Sequence, residues 1–198
     1  MNSLLYHLSQ RSANTPTFKA LSPCAKGPAV RHLQHALNRR LNALGVGDTM
    51  SVRVDGWFGN ATVAAVKYLQ CVAGLPVNGQ VTARTQGFIE QGTAALEPLS
   101  LGSTGIGVLA LKQVLTAETE IMVAHDGRFC QFTERAVMAY QRQLDLRCDG
   151  LVGAKTWEHV VRSRLGGLPC AVLLPHVHLA HASALNWLTE LINWAGHR

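Results

Sequence analysis

What this chain is short of narrows it first. No stretch is apolar for the length of a membrane-spanning helix, which takes about 20 residues. Charge is scarce: Asp, Glu, Lys and Arg supply 15% of the 198 residues against 47% hydrophobic, a balance that excludes a disordered chain and fits a core-forming one. Acids are scarcest, 12 against 18 Lys and Arg for a net charge of +6, and none falls in residues 1–23. Residues 24–92 hold seven Lys/Arg and three acids, whereas 99–165 hold eight and seven. The excess lies in the first half, where a basic surface favours anionic partners: acidic glycopolymers, lipid heads or nucleic acid. Charge alone does not choose among them.

Cysteine is sparse too. Five cysteines (Cys24, Cys71, Cys130, Cys148 and Cys170) form an odd set without a C-x-x-C pair, which excludes a zinc ribbon and a dense disulfide framework. The expectation is free, buried thiols, with a single disulfide as the alternative in an exported chain.

What is present is a repeat. Asp55-Gly56-Trp57-Phe58-Gly59-Asn60 reads as a tight turn feeding a helix, since glycine reaches backbone angles that side chains forbid. Thr62, Ala65, Val66 and Leu69 then share one helix face. Gly59-Asn60 is the expected helix start, with the Asn60 side chain accepting a free N–H, and Phe58 pins the turn to that face. Asp126-Gly127-Arg128-Phe129 with Thr133, Ala136, Val137 and Gln141 repeats the unit 71 positions later. The same shift relates Asn78-Gly79 to Asp149-Gly150 and Thr85 to Thr156. Upstream, Val30, Leu33 and Leu37 match Val108, Leu111 and Leu115 with a shift of 78, so the first copy carries seven extra residues before its turn. Two tandem small domains are expected.

The order of these residues, a Val-x-x-Leu-Gln-x-x-Leu helix, an Asp-Gly-x-Phe-Gly-x-x-Thr turn-and-helix, and Gly-Leu-x-x-Asp-Gly-x-Val-Gly-x-x-Thr-Trp, resembles the three-helix peptidoglycan-binding domain. The resemblance covers residues 24–90 and 101–162. It implies an all-α fold of two such domains, and a cell-envelope or periplasmic setting with peptidoglycan, or other wall components, as partner. Cys130 stands in the second copy where the first has Gly59, and Gln86 where the second has Trp157.

Taken in order, residues 1–23 are an extension whose opening apolar run is short and interrupted by His7, with no clear secretory signal. Domain one spans 24–92: a helix over 27–44 with Pro28 in its first turn, an extended or irregular stretch from Thr49 to Val54, the Asp55 helix, and a closing helix from Val81 to Ile89 capped by Thr82. Residues 93–100 read as a linker. Domain two spans 101–164, its last helix running from Gly153 to Arg162 with Trp157 inward. The tail, 165–198, carries an apolar C-terminal helix with Leu185, Leu188, Leu191 and Ile192.

Reactive groupings are sparse. His176, His178 and His181 are the densest histidine cluster, but without a carboxylate they do not make a convincing zinc set, so no metal and no cofactor is expected. The Ser-His-Gly-Cys pattern of wall transpeptidases is missing. Binding must then come from surface. Trp57 is the aromatic platform, with Asn60 and Arg53 beside it, and Arg128 and Gln131 are the second copy's equivalents. Sugars are held by aromatic faces and amides, and carboxylates by Arg. Asp55, Gly56, Phe58, Asp126, Gly127 and Phe129 are expected to hold the turns, and Trp57 either stacks on ligand or covers the core. Three functions follow in order: a non-catalytic two-module peptidoglycan binder, a protein- or nucleic-acid-interaction module on the same fold, and a hydrolase using the histidine-bearing tail.

Overall fold

The computed structural model describes residues 20–166. Its regular structure is helical. The first lobe contains α1 (Pro28–Ala43), the single turn α2 (Gly47–Met50), α3 (Asn60–Val72) and α4 (Ala83–Gln91). The second contains α5 (Ile106–Glu118), α6 (Gln131–Gln143) and α7 (Ala154–Gly166). The fold is all-α. The apolar C-terminal helix lies outside the described residues, as do His176, His178 and His181.

The stripes read from the sequence face inward. Val30, Leu33, Leu37 and Leu41 of α1, and Val108, Leu111 and Leu115 of α5, are buried with Phe58 and Phe129 beneath their turns. Pro28 starts α1, where its missing N–H costs nothing. Leu44 caps the other end, with Gly45 N–H on the Asn42 carbonyl and Val46 N–H on that of Leu41. These paired bonds satisfy carbonyls a helix end leaves open.

Several expectations are corrected. Asn60 does not cap its helix; Gly59 is the N-cap, without a side-chain bond, and Asn60 is the first helical residue. The stretch expected to be irregular from Thr49 begins inside α2, which takes up part of the first copy's insertion. Asn38 then fixes the exit, its amide donating to the Val52 carbonyl and accepting from the Val52 N–H, both at 2.8 Å. Cys24, Cys130 and Cys148 are free but exposed rather than buried, while Cys71 is buried and disulfide-bonded.

Each lobe is laced by its entry segment. Leu21 pairs with Val81 and Lys26 with Trp57 in the first lobe; Leu99 pairs with Val152 and Thr104 with Arg128 in the second. Residues 93–100, read as a linker, are therefore packed. Gly92–Ala95 forms a 3-10 turn against α4 and α7, Leu96 and Leu99 are buried, and Leu99 belongs to the second lobe's lacing.

The lobes match in build yet share one apolar core. Trp157 of α7 is buried and its indole N–H donates to the Glu97 carbonyl at 3.0 Å. Arg164 of α7, also buried, reaches into the first lobe. It donates to the Cys71 carbonyl at 2.9 Å, and within its own lobe to the Ala110 carbonyl and the Gln113 side chain. Gly74, at positive φ, lies so close to α5 that a Cβ there would stand 2.7 Å from that of Ala110.

Candidate ligand-binding corners

One device builds all four turns. A polar side chain on a helix reaches under an Asx-Gly turn, and a Thr seven residues after the Asx closes it. In the first lobe Gln34 donates to Asp55 Oδ1 (3.0 Å), the Trp57 carbonyl (3.0 Å) and Thr62 Oγ1 (3.3 Å), and accepts from Gly56 N–H (2.9 Å). Gln70 does the same for Asn78, Gln80, Thr85 and Gly79. In the second lobe Gln141 does it for Asp149, Leu151, Thr156 and Gly150. Each turn glycine sits at positive φ, between 66° and 77°, where a Cβ would be strained. The glutamines are buried, and with every amide group bonded they satisfy backbone that the turn would otherwise strand.

The fourth turn departs. Lys112 replaces glutamine, is equally buried, and its ammonium donates to Asp126 Oδ1 at 2.6 Å. Lysine has no acceptor, and Gly127 N–H has no protein partner among the described residues. Hydrogen bonding from Lys112, then from the Arg128 N–H, holds the Asp126 carboxyl below its ordinary pKa. Asp55 is lowered as well, by Gln34 and then the Trp57 N–H.

Asp55, Gly56 and Phe58, with Asp126, Gly127 and Phe129, are thus engaged inside the turns. The side chain between Gly and Phe is pushed outward. Trp57 is 52% exposed, its ring folded over Gly59, whose added Cβ would meet it at 3.3 Å. That contact accounts for Gly59 here and Cys130 in the other copy, where Arg128 lays no ring across the position. Arg53 and Asn60 are exposed on the same corner, and Lys26 Nζ lies 6.0 Å from the Trp57 ring centre, within cation–π range. Arg128 and Gln131 are exposed on the second corner. Each set gathers on its own lobe, and no hydrogen bond, ion pair or ring contact joins the two among the described residues.

Sequence reasoning passed over three features. Lys26 is one, although its place before the first helix could have matched it to Thr104. Phe132 is the second, 69% exposed at the start of α6 where the first copy has Ala61, so the second corner carries its aromatic on the helix instead of the turn. The third is an open groove of about 740 Å³ beside the Asp149 turn, lined by Leu99, Asp145, Arg147, Leu151 and Lys155. The free Cys130 thiol lies at the N-cap of α6, where the Thr133 hydroxyl and then the Thr133 N–H lower its pKa.

Among the described residues no group of three or more His, Cys, Asp or Glu is placed to hold a metal ion, and no helix is long and apolar enough to cross a membrane. A family model described as "Putative peptidoglycan binding domain" matches residues 26–89 and 104–160. No curated protein and no solved structure gives a significant match.

Proposed function

The chain belongs to the peptidoglycan-binding domain family, and from that premise we propose that it is a non-catalytic wall-targeting or accessory protein that holds peptidoglycan at its two outward corners. The single observation that carries this is Trp57. It is half-exposed on a turn whose other groups are committed to structure, with one side of the ring against Gly59. A rigid aromatic platform flanked by an amide (Asn60) and a guanidinium (Arg53) has the groups that sugar–peptide recognition uses. Arg128 and Gln131, with Phe132, offer a second and more polar set.

Co-sedimentation with purified sacculi tests the proposal. Retention at both low and high salt, weakened in Trp57→Ala with unchanged thermal unfolding, is the expected result. Absence of retention at either salt concentration refutes it. A nucleic-acid reading has the basic first lobe in its favour, and predicts binding to DNA or RNA that falls steeply with salt.

A further inference from the structure

The two corners share a backbone but differ in the charge they present. On the first, Arg31 of α1 lies across Gly56, where an added Cβ would come within 2.8 Å of its Nε. Lys26 is paired through its backbone with Trp57 and stands over that ring. Arg53 leads into the same turn. All three are exposed, and none is in an ion pair or donates a side-chain hydrogen bond among the described residues. Asp55 is the acid of this corner, and its Oδ1 is already held by Gln34 and the Trp57 N–H. The other acid in residues 20–60 is Asp48, in α2 beyond the opposite end of α1.

Position by position, the second corner lacks these three charges and carries one of its own, Arg128 at the place of Trp57. Thr104 stands for Lys26, Leu109 for Arg31 (it is what a Cβ on Gly127 would meet), and Ala124 for Arg53. Its buried cation, Lys112, is spent on Asp126. Three exposed cations outside any ion pair surround an exposed indole on one lobe, Lys26 over the ring and Arg53 acting through its charge on Asp55, and are replaced by Thr, Leu and Ala on the other, a difference that folding does not require. Both lobes fold with their own set.

We propose that the first corner is the anion-reading subsite: it holds a peptide carboxylate of the wall polymer among Lys26, Arg31 and Arg53, with the adjoining sugar or peptide plane on Trp57. The second corner, whose exposed cation at the turn is Arg128 alone, takes the less charged part. The guanidinium fork matches a planar carboxylate in two parallel hydrogen bonds, and the ammonium adds a third donor. Carboxylate rather than phosphate is assigned because this inference rests on the peptidoglycan reading above, and carboxylates are the negative charges of the peptidoglycan peptide.

The test is co-sedimentation of the full chain with three preparations: native sacculi, sacculi with amidated carboxylates, and sacculi stripped of phosphate-bearing polymers. The variant is Lys26→Thr, Arg31→Leu, Arg53→Ala combined, each residue borrowed from the equivalent place in the other lobe. A charge-matched control replaces the exposed Arg39, Arg135 and Arg142 by Ala. Wild type and control should lose about tenfold or more in affinity on amidation, the size of a lost charge-assisted contact, and should be indifferent to stripping. The variant should bind native sacculi as weakly as wild type binds amidated ones, and amidation should not weaken it further. Wild-type binding that ignores amidation, or a variant that binds native sacculi normally, overturns the inference and leaves the family reading standing. So does a control that weakens as much as the variant. Loss on stripping reassigns the corner to phosphate, and preferential capture of duplex DNA reassigns it to nucleic acid; both overturn it. No retention of wild type on native sacculi removes the family reading and this inference together.

Discussion

Replacing Gln70 by Leu isolates what the turn device contributes to stability without changing any charge. Gln70 is buried, donates three hydrogen bonds and accepts two, from the Asn78 and Gly79 N–H groups. Leucine fills a similar volume and makes none of them. Asn78 is exposed and its N–H keeps the Pro76 carbonyl, but Gly79 is buried and its N–H loses its acceptor, while the carbonyl of the exposed Gln80 loses a 2.8 Å donor. Each stranded group costs about 1–3 kcal/mol, and the added apolar burial returns about 1 kcal/mol. The net expectation is a loss of about 1–3 kcal/mol, which in a chain of this size lowers Tm by about 2–12 °C. Urea unfolding should show a shifted midpoint at constant m. Gln141→Leu should cost about the same, because its bonds repeat those of Gln70 except the one from the exposed Asn78 N–H. If both variants unfold within about 0.5 kcal/mol of wild type, the range of neutral surface changes, the argument that these glutamines hold the turns is wrong.

Four further outcomes follow from particular contacts. The Asp126 carboxyl is depressed in the folded state, chiefly by Lys112. Its contribution is therefore present above the ordinary carboxylate range and is lost as pH falls through the depressed value; Lys112→Met, which removes the donor, should flatten that acid limb in urea midpoints measured from neutral pH downward. Cys130 is exposed, and its pKa is lowered by Thr133 at a helix start, so iodoacetamide at neutral pH should label it fastest of the three exposed thiols, as followed by peptide mass spectrometry. Gly74→Ala forces a side chain at positive φ into the Ala110 methyl and should cost about 1–3 kcal/mol. Asp145→Gly, at the equivalent left-handed position of the second lobe, should be neutral or stabilising by about 1 kcal/mol in the same unfolding assay.

The repeat and the helix faces were legible because periodic apolar burial leaves a periodic trace. Val30, Leu33 and Leu37, and Thr62, Ala65 and Val66, all lie where their spacing puts them. What stayed hidden has no period. The four turns are one device, yet two keep Phe and two keep Val after the Asx-Gly pair, and one exchanges Gln for Lys, so a register match found two copies and not four. The role of the glutamines was also invisible, since a Gln closing an amphipathic helix reads as surface until the turn folds over it. Gly59 is the helix cap and also a seat for an indole, and only the first of these could be read from the sequence. Residues 93–100 looked like a linker because Gly and Pro bracket them, but what decides their state is burial of Leu96 and Leu99 against a lobe far away in sequence. Contacts such as Arg164 with Cys71, 93 positions apart, leave no local signature.

That interface changes how a second corner can help. Two modules on a flexible linker gain avidity for any ligand spacing the linker spans. Here the lobes share a core, and Arg164 buries its guanidinium on carbonyls of both, with no carboxylate paired to it among the described residues. Pulling the lobes apart would bare Trp157, Leu96 and that desolvated cation together, a cost that surface binding energy would have to exceed. The corners are therefore held in one relation to each other. Such a pair gains from both corners only where the polymer presents its groups at the matching separation, and behaves as a single site elsewhere. It also makes cutting the chain at residue 93 a poor way to apportion binding, because each half would expose what the other covers. Substitutions at Trp57 and Arg128 within the intact chain keep the core whole, and a double variant that loses more than the product of the two single losses is the sign that both corners engage one strand.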